Sequence, residues 1–81
     1  MSVDVTPGVS LSARVAEEIR VVMARRLMRQ SQLARRIGVG EQWLSVRLRG
    51  KQPIDLNDLE LIAGGLEVKP AALLSSPNFT D

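Results

Sequence analysis

The sequence predicts an all-α fold of four to five short helices. Apolar residues recur at three- and four-residue spacing over most of the chain, and nowhere do apolar and polar residues alternate with period two. With 81 residues, 44% of them apolar, the chain can build one core and is too short for a second.

Residues 1–10, with Thr6-Pro7-Gly8, read as a flexible arm, residues 11–74 as the folded domain, and "SSPNFTD" at 75–81 as a polar tail. Ser10 or Ser12 can cap a first helix, in which Val15, Ile19, Val22, Met23 and Leu27 keep helical spacing through about residue 27. Glu17 and Glu18 toward its start and Arg25 and Arg26 toward its end suit the helix dipole without any ligand. Leu33, Ala34 and Ile37 mark a second helix over about residues 30–37, closed by Gly38 in the left-handed position. Val39 then turns back inward. Leu44 and Leu48 form the inner stripe of a third helix over about residues 41–49, opened by Gly40 and closed by Gly50. Two helices of this length, joined by a few residues that include glycine, have helix-turn-helix spacing.

Past the "GKQP" loop, Asp55 can cap a fourth helix, with Asp58 in the capping-box place and Leu56, Leu59, Ile62, Ala63 and Leu66 as its buried face. The Gly64-Gly65 pair is expected to end or loosen it. Val68 enters the core, and Pro70 opens a last turn or two carrying Ala71, Leu73 and Leu74. Met23 and Met28 read as core or rim filler, and Trp43 as cover for the seam between the third and fourth helices, with a sugar or base contact as the alternative.

Composition removes several classes of function. There is no Cys and no His, so disulfides, thiolate metal sites, imidazole ligands and the usual general base are all missing. No cluster of acid-base or metal-binding residues is left for an enzyme, and neither a cofactor nor a metal is expected. No apolar run approaches the roughly 18 residues of a membrane span. The first ten residues lack the basic and apolar regions of a signal peptide, so a bacterial or phage-infected cytoplasm is the expected setting.

Charge is distributed unevenly. Arg14 to Lys51 holds ten basic residues against Glu17, Glu18 and Glu41, a net +7, whereas Gln52 to Asp81 holds Lys69 against five carboxylates, a net −4. A basic first part joined to an acidic last part is the footprint of a one-sided polyanion binder. The stretch "RIGVGEQWLSVRLRG", residues 36–50, lies inside the basic part. Its glycines do not make a dinucleotide loop, because the third glycine is absent and a helix precedes them. Nor is it a membrane-surface helix, because Leu44 and Leu48 are needed to roof the first two helices.

Residues 30–74, "QSQLARRIGVGEQWLSVRLRGKQPIDLNDLELIAGGLEVKPAALL", resemble the phage repressor and Cro type of helix-turn-helix domain, the lambda-repressor-like or XRE family. The matching positions run from Gln30 through Leu33-Ala34, Ile37-Gly38-Val39 and Leu44-Ser45 to Gly50, Leu59, Ile62-Ala63, Leu66 and Val68. Three positions depart from the family pattern. Gly40 stands where Ser or Thr often caps the third helix, Arg29 stands where a small hydroxyl often precedes the second, and Leu48 replaces an acidic residue that often pairs with a basic one on the first. Glycine is an acceptable cap, and an apolar contact can replace a buried ion pair.

The resemblance implies a double-stranded DNA partner, with the third helix in the major groove. On a helical wheel with Leu44 and Leu48 inside, Glu41, Gln42, Ser45 and Val46 face outward as base readers. Gln42 suits adenine, Val46 a thymine methyl, Ser45 either partner type, and Glu41 cytosine N4 or simply the helix N-terminus. Gln30, Arg49 and Lys51 are expected on phosphates, with Arg29 and Arg47 as additions. These contacts imply a log–log salt slope of about −4 to −5. Arg35 and Arg36 read as a solvated face. The implied role is a nucleoid-associated transcriptional regulator that occupies an operator, either a Cro-like single domain or the first part of a longer repressor. A homodimer through the C-terminal helix, Leu73 to Phe79, would match paired half-sites. An antitoxin-type regulator and a helical protein-interaction module without DNA binding are the alternatives.

Overall fold

The first helix begins where a serine can satisfy its open end. In the computed structural model, which describes residues 10–74, the Ser10 hydroxyl accepts from the Ala13 amide at 3.0 Å, and α1 (Leu11–Arg25) follows. Ser12 has a different use. Its hydroxyl accepts from the Ile54 amide at 2.7 Å and ties the segment after the third helix to the start of α1. The remaining elements are α2 (Gln30–Ile37), α3 (Glu41–Leu48), α4 (Leu56–Leu66) and α5 (Pro70–Leu74), with no strand among the described residues. The arm at 1–9 and the tail at 75–81 lie outside the described residues.

One core joins all five helices. Val15, Ile19 and Met23 of α1 meet Leu33 and Ala34 of α2, Leu44 and Leu48 of α3, Leu59, Ile62, Ala63 and Leu66 of α4, and Leu73 of α5. Met28, Ile37, Val39, Trp43, Ile54 and Val68 pack around its edge. At roughly 1.5–3 kcal/mol for each fully buried aliphatic side chain, the sealed Ile19, Leu33, Leu44, Ile62, Leu66 and Leu73 dominate the stability of so short a chain.

The four longer helices end alike. Just past each one a residue turns left-handed, and the next amide reaches back to a carbonyl five residues earlier: Met28 to Met23 at 2.9 Å, Val39 to Ala34 at 3.0 Å, Lys51 to Val46 at 2.8 Å and Val68 to Ala63 at 3.0 Å. This is the Schellman arrangement, and it satisfies carbonyls the helix leaves open. Gly38 (φ 76°) and Gly50 (φ 75°) supply the left-handed residue for α2 and α3, as expected from the sequence. Leu27 (φ 54°) and Glu67 (φ 60°) supply it for α1 and α4, at a local cost of about 1–2 kcal/mol each.

These two ends correct the sequence reading. Leu27 does not extend the buried stripe of α1; it is 88% exposed and outside the helix. Glu17 and Glu18 fall beyond the first turn of α1, so they do not serve its N-terminal dipole, and Glu18 lies largely buried instead. Leu56, counted in the inner face of α4, is 80% exposed because it opens the helix before the inward stripe begins at Leu59. Nor does Gly64-Gly65 end α4, which continues through both to Leu66.

Gly65 is buried for a packing reason. A Cβ placed there would run into Ile37 Cγ2 and lie 2.8 Å from Leu33 Cδ1, so α4 crosses α2 at a separation where any larger residue forces those side chains to shift. The Arg36 guanidinium donates to the Gly65 carbonyl at 3.1 Å across the same crossing, although Arg35 and Arg36 are otherwise exposed. Gly64, one residue earlier, faces open space. Gly65→Ala is predicted to lower stability by about 1–3 kcal/mol through overpacking. Gly64→Ala should instead raise it by about 0.5–1 kcal/mol by removing glycine's helix penalty. Urea melts of the two single variants measure both.

Candidate nucleic-acid interface

The α2–α3 turn is built from Gly38, Val39 and Gly40. Gly38 takes the left-handed position, Val39 drops toward the core, and Gly40 (φ −75°, ψ 155°) starts α3 with no side-chain cap. Gln30 bridges the two helix starts, its Nε2 donating to the Glu41 carbonyl at 3.5 Å. Arg29 cannot cap α2 as a hydroxyl would. The Gln32 Oε1 compensates in part by accepting from the Arg29 amide at 2.7 Å, which leaves the Arg29 side chain exposed.

Leu44 and Leu48 pin one side of α3 into the core. The opposite side carries exposed Gln42 and Arg49 and half-exposed Val46, with half-exposed Ser45 beside them and exposed Lys51 just beyond, whereas Glu41 is in line with Leu44 and is exposed because it opens the helix. The Arg49 Nε leans back on the Ser45 carbonyl at 3.4 Å. Among the described residues, the side chains of Glu41, Gln42, Ser45 and Lys51 make no hydrogen bond or ion pair inside the protein. Arg29, Gln30, Arg49 and Lys51 thus border the same surface that Gln42, Ser45 and Val46 occupy.

Arg47 departs from this set. Its guanidinium stacks on Trp43 at 3.8 Å from the ring centroid, donates from Nη1 to the Trp43 carbonyl at 3.0 Å, and pairs through Nε with Asp58 Oδ2 at 3.1 Å. Both partners of this ion pair keep only 15% side-chain exposure. Expected on a phosphate, Arg47 is engaged within the fold. Trp43 is half-buried at the edge of the core, with Arg47 as its outer layer, and Arg47 makes the link to α4. Asp58 joins the seam to the start of α4, since the same Oδ2 accepts from the Asp55 amide at 3.3 Å and Asp55 Oδ1 accepts from the Asp58 amide at 2.7 Å.

A second anchor has no counterpart in the sequence reading. Arg20 of α1 donates from Nη1 to the Leu48 carbonyl, at the end of α3. Where the family pattern pairs a basic residue of the first helix with a carboxylate, this chain pairs Arg20 with a backbone oxygen at the negative end of the helix. The signal available beforehand was the combination of Leu48 with a basic residue on α1.

Two short helices at a glycine turn, the second buried along one side and polar along the other with cations at its margins, define a helix-turn-helix DNA-binding domain. Residues 18–77 match the family of Cro/C1-type HTH DNA-binding domains. The chain belongs to that family and is a DNA-binding transcription regulator. Similar solved structures include the restriction-modification controller protein C.Esp1396I, 27% identical with a TM-score of 0.72 over 78% of this chain and 81% of that one. The hypothetical transcription factor NHTF from Neisseria is 26% identical with a TM-score of 0.78 over 96% and 90%. The controller protein C.AhdI from Aeromonas hydrophila, 19% identical with a TM-score of 0.71 over 76% and 94%, shares the fold. No curated protein sequence matches the chain.

Arg47→Ala removes the ion pair and the ring contact together and is predicted to lower stability by about 1–2 kcal/mol, with a shift in Trp43 emission in the folded state. Arg49→Ala, at an exposed position on the same helix, should stay within about 0.5 kcal/mol of the parent. Urea unfolding followed by Trp43 fluorescence separates the two.

Proposed function

We propose that the protein occupies an operator through α3 in the major groove, and that Glu41, Gln42, Ser45 and Val46 read base edges there. The observation that carries this reading is the outer row of α3, whose Gln42 and Ser45 keep their side-chain hydrogen-bonding groups unused on a helix otherwise fixed in the core. Gln42 offers adenine a bidentate donor–acceptor pair, and Val46 offers a thymine methyl an apolar contact. Arg29, Gln30, Arg49 and Lys51 meet the flanking phosphates. With Arg47 committed to Asp58, three of these four are cations, which gives a log–log salt slope of about −3 per bound copy.

A homodimer through the C-terminal helix remains part of the proposal in reduced form. Leu73 is fully buried and cannot serve it, which leaves Leu74 and the tail. Likeness to a restriction-modification controller protein at 27% identity supports transcriptional control over an antitoxin role.

Selection from a random double-stranded DNA library, run on the parent and on Gln42→Ala plus Ser45→Ala, tests the reading. The parent is expected to enrich a defined motif that blurs by one to two base positions in the variant, each lost contact being worth about 1–3 kcal/mol of discrimination. No enrichment, together with weak salt dependence, would reject operator binding and favour a protein-interaction module.

A further inference from the structure

Two leucines on the surface contribute little to the fold. Leu27 is 88% exposed and holds a left-handed backbone in which glycine or asparagine would sit without strain. Leu56 is 80% exposed at the first position of α4. Their surroundings have opposite charge. Leu27 is flanked by the exposed side chains of Arg25, Arg26 and Arg29, which make no side-chain hydrogen bond or ion pair among the described residues. Leu56 follows Asp55 and shares a helix face with Glu60 one turn on, and both carboxylates are exposed.

The two patches lie at opposite ends of α1. The Ser12–Ile54 hydrogen bond holds the chain leading into Leu56 beside the N-terminal end of that helix. Leu27 lies just past its C-terminal end, and a helix of 15 residues spans about 22 Å. A single chain therefore cannot bring its own two leucines together. A second copy presents the complementary half.

We propose that the chain takes a second copy of itself, head to tail, with Leu27, Arg25 and Arg26 of one copy set against Leu56, Asp55 and Glu60 of the next. The contact has an apolar centre inside a rim of opposite charges, the arrangement that fixes register and excludes like-charged pairings. It is heterologous, so one copy leaves a free patch at each end and further copies can add. It uses none of the outer row of α3, and copies on neighbouring sites of one duplex would bind cooperatively.

Sedimentation without DNA tests the contact through complementation. The parent's mean mass should rise with concentration, and Leu27→Asn or Leu56→Gln should each weaken that association about tenfold. An equimolar mixture of the two variants should associate more strongly than either alone, because the intact Leu56 patch of one meets the intact Leu27 patch of the other. Any closed pair formed through the C-terminal helix is common to all samples and cancels. The reversals Arg26→Glu and Glu60→Arg, weak singly and restored when mixed, give the same reading if a leucine variant folds poorly. A parent that associates no more than the single variants, or a mixture no heavier than its components, overturns the proposal.

Discussion

Among the described glycines, Gly65 is the one held against neighbouring side chains, where α4 crosses α2. Leu33 and Ile37 fill the space that any larger residue would claim there, and Arg36 closes the contact on the Gly65 carbonyl. Interiors are packed too densely for one helix to shift without moving its neighbours. Because only Gly38, Val39 and Gly40 separate α2 from α3, the seat of α2 on α4 decides where α3 begins and which way its outer side faces.

An eight-residue helix has little stability of its own, so the orientation of α3 depends on what holds it. Its start is bridged by Gln30, its middle is joined to α4 through Arg47 and Asp58, and its end is joined to α1 through Arg20. Leu44 and Leu48 fill the core between these points. Three polar anchors on three different helices leave one side of α3 uncommitted, and the side chains suited to base edges are on that side. Preorganisation of this kind spares the complex the ordering of a mobile helix on binding.

The architecture was legible where backbone chemistry is written in residue type. Gly38 and Gly50 end α2 and α3 because they take a left-handed conformation at no cost, and Asp55 with Asp58 opens α4 as a reciprocal cap. The ends of α1 and α4 were not legible, because Leu27 and Glu67 adopt the same conformation against their intrinsic preference. The inward pull of Met28 and Val68 on the far side of each turn stabilises it, and that pull exists only in the folded chain. Gly65 was misread for a related reason, since a glycine required by a neighbouring helix looks the same in sequence as one that breaks its own. For the binding face, the helical period of α3 separated Gln42, Val46 and Arg49 from its inner row, although Glu41 shares the face of Leu44 and Leu48. The period could not separate Arg47 from Arg49, because Asp58 on another helix makes that distinction.

In the proposed function α3 is presented to DNA in a fixed pose, with its outer row and the margins at Arg29, Gln30, Arg49 and Lys51 as the contact surface. Amide and side-chain chemical-shift mapping by NMR, titrating the full chain with a duplex that carries its selected site, tests this most directly. Perturbations are expected at Arg29, Gln30, Glu41, Gln42, Ser45, Val46, Arg49 and Lys51, while the Trp43–Arg47–Asp58 seam and the buried residues of α4 and α5 keep their free-state shifts. Perturbations centred on α4 or α5, or a wholesale shift of the α3 core residues Leu44 and Leu48, would contradict it.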